Sequence, residues 1–501
     1  MSLFLFLCGE GTAQHAYWIV PDSSENLPAL LSEMKGAGID IRYHSRWLNA
    51  FSVNLSKPQL KDIHELNYRF TVTPVLKLKS SIVHDDGKLL YSKALSQMQA
   101  EAFTKRGVSG LGVKIGVTDA GYLYLDDTIK MADLAHLWKG KQIVATRDFV
   151  KSIDTISYDE TFYTGRKKPL KERTNWFRKA IRDFKLIYHY HGTEVLRMIT
   201  GYDPTPDYHR GLATDALFYL ARTEDGRREF KEEEDYYIAA LEWMEKQGVR
   251  LVNTSLGYGR GRRLKGSNYK PTDMNGSSMI AKAVAIACRE KNMLVVVAAG
   301  NDGDKRRWKV INTPADAEAA LTVGAVLNRF EKADYSGIGP EFNTYLKPEV
   351  AAFSLQGTSL SAPAVCGFAA CLLEMNPDLT SAALKNIIIR SSHLFPYGNN
   401  YIGYGVPLAS RALKLMEDSG FQFNHAKEMH MNGNEFLFEN ETKKIPYVSV
   451  FHKKDATNVI QNEVIFANNN TGEIRILRPE KCKRTTVQAG YDILEIFWEE
   501  N

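Results

Sequence analysis

The sequence predicts an α/β chain built on a doubly wound, mostly parallel sheet, preceded by a ferredoxin-like α+β unit and followed by a small C-terminal β domain. Three observations predict it. The middle of the chain alternates uncharged, β-branched runs with amphipathic helices, as buried parallel strands and their crossovers do. Residues 16 to 78 alternate between strand and helix periods, and residues 420 to 501 hold only short alternating stretches separated by Asn, Gly and Lys.

Bulk properties narrow the class. At 501 residues and 44% hydrophobic content the chain has room for roughly two to four packed domains. A formal charge of +5 is too small over that length to point to nucleic acid, so none is expected as a partner. Five cysteines without regular spacing, among them Cys366 and Cys371 in one small-residue stretch, read as buried free thiols and not as a disulfide framework.

In chain order, Met1 to Cys8 is a short apolar run followed by small residues before Ala13-Gln14. That is the pattern of a signal peptide over 1–14, although no Lys or Arg precedes it, and it implies a secreted or cell-envelope location. Tyr17 to Val20 is a strand, Leu27 to Lys35 a helix, Ile39 to Leu55 two strands, Lys57 to Leu66 a helix and Phe70 to Leu76 a strand. The order β-α-β-β-α-β is the split ferredoxin-like unit, assigned to 15–80. Residues 81–99, around Asp85-Asp86-Gly87, read as an exposed linker.

The doubly wound unit is assigned to 100–418. Val113 to Thr118 is a strand with Asp119-Ala120-Gly121 at its carboxyl end, where parallel sheets gather their chemistry. Strands at Leu251 to Thr254, Met293 to Ala298 and Leu321 to Val326 alternate with helices at Asp235 to Lys246 and Ser278 to Lys291. From Val350 to Leu373 no residue is charged, so the stretch is buried, yet its centre, Gly357-Thr358-Ser359-Leu360-Ser361-Ala362-Pro363, offers three hydroxyls. Pro363 suits the first turn of a helix. The apolar part from Leu360 to Leu373 is too short to span a bilayer, so no membrane span is expected. Residues 419–501 form the β domain.

Three patterns carry chemistry: Asp119 in Val-Thr-Asp-Ala-Gly, His191 in His-Gly-Thr-Glu-Val, and Ser359 in Gly-Thr-Ser-Leu-Ser-Ala-Pro, each expected at a junction of elements. A serine hydroxyl needs a base, and the base needs a carboxylate to hold one tautomer. His189 lacks the following Gly-Thr and reads as structural. A fourth pattern, Ala298-Ala299-Gly300-Asn301 after an apolar strand, sets an amide where it could donate to an oxyanion together with the Ser359 N–H.

At these residues the chain resembles the subtilisin-like serine proteases (subtilases), over roughly residues 100 to 415. The order Asp, His, Ser is that of subtilisin and not of chymotrypsin or the α/β-hydrolases. The resemblance implies Ser359 as nucleophile, His191 as general base then acid, Asp119 as its orienter and Asn301 in the oxyanion hole. It implies that Ser255-Leu256-Gly257 is an edge on which an extended peptide pairs, facing a wall at Ala298, Ala299 and Gly300. The ferredoxin-like segment is similar to subtilase propeptides, which assist folding, inhibit and are cut off. The chain is thus expected to be a serine endopeptidase made as a zymogen, with protein or peptide substrates and its own propeptide as partners. Glu224-Asp225 and the run Asn253 to Tyr258 look most like the bacterial exported branch.

The chain also departs from the family. Glu194 stands where many members have His, Ala120 where they have Ser or Thr, and the lead from Lys347 to Gly357 is short. That lead motivates an alternative, a catalytically silent subtilase acting as a binding or scaffold module. A serine esterase would want a Gly-x-Ser-x-Gly elbow, which this site lacks. Between Asp119 and His191 lies a long insertion whose basic residues, Arg166 to Lys185, read as a solvated helix. Arg260, Arg262, Arg263 and Lys265 beside the substrate edge suggest a taste for acidic side chains. No cofactor is expected; calcium is common in the family, but no dense Asp/Asn run shows ligand spacing, and Asp126-Asp127 reads as a turn.

Overall fold

The computed structural model describes residues 14–499 apart from 64, 65, 67, 76–87, 157–175, 206, 226–232, 260–268, 439–444 and 469–472, with backbone alone at 88–92 and 176–187. The signal-like start and the basic residues from Arg260 to Lys265 lie outside the described residues, as do Arg166 to Arg173 of the insertion.

Seven parallel strands form the central sheet, in the spatial order Val350–Phe353, Leu321–Val326, Leu294–Ala298, Leu251–Thr254, Lys114–Asp119, Leu217–Arg222 and Ile143–Asp148. The Lys114–Asp119 strand comes first in the chain yet lies inside the sheet, with later strands on both sides. Its carboxyl end is therefore a switch point of the winding. Side-chain alternation gives each strand two buried faces: Val295 and Val297 join one core with Tyr237, Ile280 and Val284, while Leu294 and Val296 join the other with Ala362 and Phe368.

Helices Glu233–Lys246 and Met279–Arg289 cover the first face. Thr358–Met375 and Trp176–Thr200 pack together on the second. The Thr358–Met375 helix is long and apolar enough to cross a membrane by length and composition, but 89% of it is buried inside the protein. A helix apolar all round belongs in a core, and this one fills it.

The amino-terminal unit is a four-stranded antiparallel sheet, ordered Ile41–Ser45, Ala50–Leu55, His15–Pro21 and Phe70–Pro74, with helices Leu27–Gly36 and Lys57–Asp62. The second helix ends before Leu66, shorter than its pattern suggests. One face of this sheet buries Ile19, Phe51 and Val53 against Leu30 and Met34. The other sets Ala16, Trp18, Ala50 and Val75 on Ile238, Met279 and Ala283 of the helices covering the large sheet. Polar contacts fix the register: Arg42 pairs with Asp235 at 2.6 Å, Ser52 Oγ donates to Asp235 at 2.8 Å and Ser45 Oγ to Glu242 at 2.6 Å.

Part of the stretch read as exposed linker is helical, over Lys88–Gln97, and it is not exposed: Ala94, Leu95 and Met98 are buried in the main core. Their i, i+1, i+4 spacing is an apolar helical face that the serines around it disguise. Strands Ile143–Asp148, Leu217–Arg222 and Val350–Phe353 also went unread. The second ends in Arg222, which looks like a surface charge but is fully buried, bonded to Asp148 at 2.8 Å and to the Ala120 carbonyl at 3.0 Å.

After the Ala409–Glu417 helix comes a five-stranded sheet, ordered Ala426–Met431, Asp492–Trp498, Arg484–Ala489, Tyr447–Lys453 and Val459–Phe466, with a separate pair Glu435–Phe438 and Ile474–Leu477. It is tied to the α/β unit by the Asn400 N–H on the Thr457 carbonyl at 2.9 Å and by Arg411 on the Tyr491 carbonyl at 3.0 Å. Cys288, Cys366, Cys371 and Cys482 are buried and free, as the cysteine count suggests.

Candidate active site

Asp119 ends its strand fully buried, and its Oδ1 accepts the Ala120 N–H at 2.7 Å. The same oxygen lies 2.8 Å from His191 Nδ1, with Oδ2 at 3.0 Å. A carboxylate in that position makes Nδ1 the protonated nitrogen and leaves Nε2 as the basic one. Nε2 is buried and has no partner among the described residues.

His191 does not sit at a junction of elements. It lies well inside the Trp176–Thr200 helix, because the insertion extends that helix upstream of the His-Gly-Thr motif. Gly192 lets the helix come close: a Cβ there would stand 2.5 Å from the Gly121 carbonyl oxygen and 3.0 Å from Asp119 Cβ. The Gly192 N–H instead donates to the Gly121 carbonyl at 2.9 Å, and Thr193 Oγ1 to the Leu123 carbonyl at 2.9 Å. The three motif residues thus present the ring, permit the approach and lock it.

Ser359 occupies the first turn of the buried Thr358–Met375 helix. Of the three hydroxyls in that stretch, Thr358 Oγ1 donates to Asn301 Oδ1 at 3.0 Å and Ser361 Oγ to the Ala352 carbonyl at 3.1 Å. Ser359 Oγ makes no hydrogen bond among the described residues. Gly357 has φ +155°, and a Cβ there would stand 3.2 Å from both Ser359 Oγ and Asn301 Nδ2. The hydroxyl and the amide therefore flank one bare α-carbon, which glycine alone leaves open.

Asn301 is oriented by its oxygen. Oδ1 accepts the Thr358 N–H at 2.8 Å, and Thr358 Oγ1 accepts the Gly300 N–H at 3.0 Å. The short lead from Lys347 closes on Ser354, whose Oγ accepts the Gln356 N–H at 3.2 Å and donates to the Gly357 carbonyl at 2.9 Å. One tight turn does the work of a longer loop.

The expected substrate-binding residues lie beside these groups. Ser255 Oγ donates to the Ser359 carbonyl at 2.8 Å, and the backbones of Leu256 and Gly257 have no backbone partner among the described residues. Opposite, Ala298 and Ala299 are buried, and Ala299 spends its N–H on Val323 and its carbonyl on Asn312, both at 3.0 Å. Ala120 contributes its backbone N–H to Asp119, a service any residue performs. Glu194 is bound at 2.6 Å to Arg197, which also holds Asp133 at 2.7 Å.

Sequence reasoning singled out Glu224 only as a mark of family resemblance and gave it no place in the site. It is buried two residues beyond the Leu217–Arg222 strand, whose Arg222 pairs in register with Asp119. Burial first, and then the Asp119 charge, push its carboxyl up to about 8. Asp127 Oδ1 accepts the Lys130 N–H at 3.0 Å, closing the turn expected there. Among the described residues no group of three His, Cys, Asp or Glu side chains could hold a metal ion.

Known proteins resemble this chain in sequence and in fold. Residues 110–405 match the model of the subtilase family. Subtilisin DY of Bacillus licheniformis is 27% identical over 207 residues, spanning 39% of this chain and 68% of the relative. Subtilisin NAT of Bacillus subtilis subsp. natto is 24% identical over 322 residues, 62% of this chain and 68% of that one. Among solved structures, fervidolysin from Fervidobacterium pennivorans, a keratinolytic enzyme related to subtilisin, superposes with a TM-score of 0.55 at 16% identity, covering 96% of this chain and 72% of its own. At that identity the likeness is one of fold. With the family model spanning more than half of its length, the chain belongs to the subtilase family and is a serine-type peptidase of subtilisin-like fold.

Proposed function

We propose that the chain is an exported endopeptidase that cuts peptide bonds through an acyl-enzyme on Ser359. The observation that carries this is the His191–Asp119 bond of 2.8 Å, in a chain where Ser359 Oγ, unlike Thr358 Oγ1 and Ser361 Oγ, makes no hydrogen bond among the described residues. Ser359 Oγ attacks the substrate carbonyl carbon and its proton passes to His191 Nε2. Asp119 stabilises the imidazolium, while Asn301 Nδ2 and the Ser359 N–H hold the oxyanion. The imidazolium then protonates the departing amine, and water, deprotonated by the same ring, releases the acyl group. An extended peptide pairs along Leu256 and Gly257.

The amino-terminal unit, residues 15–80, serves as propeptide. Its sheet buries an apolar face and an Arg42–Asp235 pair on two helices of the catalytic unit, a surface that cleavage and release would expose. A fluorophosphonate probe tests the chemistry: the processed chain is labelled and its Ser359→Ala variant is not. Absence of label on the wild-type chain sinks the proposal. Amino-terminal sequencing of secreted protein tests maturation, with a start between residues 80 and 100 expected and an intact Met1 counting against both export and processing.

A further inference from the structure

We propose that Asn312 is the floor of the slot that receives the substrate side chain next to the cleaved bond, and that it restricts that residue to glycine, alanine or serine. The proposal rests on the Ser359 chemistry above and adds a substrate class to it.

The slot arises where two neighbouring strands part. Leu251–Thr254 and Leu294–Ala298 pair in parallel as far as Thr254 and Val297. Beyond that point Asn312 and Thr313 stand between their continuations. The Asn312 N–H donates to the Ala299 carbonyl at 3.0 Å on one side, and Thr313 exchanges backbone bonds of 2.7 and 3.1 Å with Tyr258 on the other. The Asn312 carbonyl accepts the Ala315 N–H at 2.8 Å, so the backbone that carries the side chain is held at both ends.

Both walls end on the Ser359 turn. From one, Ser255 Oγ donates to the Ser359 carbonyl at 2.8 Å. From the other, the Gly300 N–H donates to Thr358 Oγ1 at 3.0 Å and Asn301 Oδ1 accepts the Thr358 N–H at 2.8 Å. A peptide that follows Leu256 and Gly257 and brings a carbonyl to Ser359 Oγ sets one side chain between the walls, that of the residue supplying the carbonyl.

What that side chain meets is Asn312. A Cβ on Gly300 would stand 2.8 Å from Asn312 Nδ2, and one on Gly257 3.1 Å from Asn312 Cβ. A Cβ on Gly259 would stand 2.5 Å from Asn312 Oδ1 and 3.1 Å from the Trp308 ring. The amide therefore reaches from wall to wall with Trp308 behind it, and only 4% of either residue is exposed. Contacts this close are open only to bare α-carbons, which is what the three glycines supply. Packed in this way, Asn312 cannot swing aside without pushing a wall. A bulky substrate side chain must displace it or hold the carbonyl away from Ser359 Oγ. A hydrogen, a methyl or a hydroxymethyl group does neither.

The test uses internally quenched peptides that differ only at the residue supplying the attacked carbonyl, glycine, alanine, serine, leucine or phenylalanine, with the cut bond located by mass spectrometry. With the processed wild-type chain, kcat/KM for alanine is expected to exceed that for leucine or phenylalanine by about tenfold or more. Asn312→Gly opens the slot and lowers the alanine-to-phenylalanine ratio by about tenfold, and Asn312→Ala lowers it by less. Because each ratio is taken within one protein, general loss of activity in a variant does not imitate the change. If one variant does not fold, the other and the wild-type series decide. A wild-type chain that cuts as well or better after leucine or phenylalanine overturns the slot and leaves the Ser359 reading standing. A ratio that the variants leave unchanged overturns it too, as does fluorophosphonate labelling without cleavage of any peptide in the series. A chain that neither labels nor cleaves overturns both readings.

Discussion

Asn301 Oδ1 accepts the Thr358 backbone N–H at 2.8 Å, and that bond decides which end of the amide faces Ser359. An N–H pairs only with the oxygen, so the NH2 group is turned to the open side of Gly357, where it can donate to a developing negative charge. In a subtilisin, removing this kind of donor costs about a hundred- to a thousandfold in kcat, and Asn301→Ala is expected to lose as much with KM changed by less than about threefold. Steady-state kinetics on a neutral peptide check it; a loss confined to KM would remove Asn301 from the oxyanion hole.

Gly192 is a point of close approach between the His191 helix and the Asp119 turn. Gly192→Ala puts a methyl 2.5 Å from the Gly121 oxygen, so the helix must retreat and the His191–Asp119 bond lengthens. Destabilisation of about 1–3 kcal/mol is expected, with a loss of fluorophosphonate labelling rate far beyond what the fold loses. Thermal melting and labelling kinetics on one preparation separate the two effects.

Stability should carry the mark of Glu224. Its folded value, about 8, lies above the ordinary 4.5, so the folded state holds a proton that the unfolded chain has released between those limits. The stability this group contributes is complete below about 4.5 and is lost as pH rises through about 8. Glu224→Gln cannot ionise. In a Ser359→Ala background, to prevent self-cleavage, its melting temperature should gain on the parent by about 2 °C or more between pH 5 and pH 8.5. A gap that stays constant with pH refutes it.

Arg42→Ala tests the docking of the amino-terminal unit. The pair it breaks is buried on both sides, with 7% and 3% of the side chains exposed, and Ser52 Oγ donates to the same Asp235 carboxylate at 2.8 Å. Removing one member of a buried pair costs about 3 kcal/mol. In the full-length Ser359→Ala chain, hydrogen exchange in the helices carrying Ile238 and Met279 should rise while that of the Thr358–Met375 helix does not. Equal exchange in both proteins would show that the pair does not hold the unit in place.

The parts of the candidate site stand out in sequence because each is a local signature: a carboxylate at a strand end, a histidine before a glycine that permits contact, a serine after a glycine at a helix start. What was not legible depends on partners remote in the chain. Arg222 reads as a surface end until Asp148 is beside it. Ala94 and Met98 read as linker until the core receives them. Glu224 looks like any surface glutamate, since its displaced ionisation comes from burial and from Asp119, which no spacing encodes. The helix bearing His191 was misjudged for the opposite reason: its motif marks where the turn docks, not where the helix begins.

Ser359, the proposed nucleophile, rides on the first turn of a helix that is 89% buried. Backbone amides along such a helix are released to solvent only when the domain opens as a whole, so no minor local fluctuation disarms Ser359. For an enzyme surrounded by copies of itself, each able to cut an unfolded neighbour, activity and integrity then run on a single clock. Loss of peptidase activity on heating and loss of intact chain should share one half-life, set by global unfolding; activity that decays well before the chain is cut would show that the helix start loosens on its own.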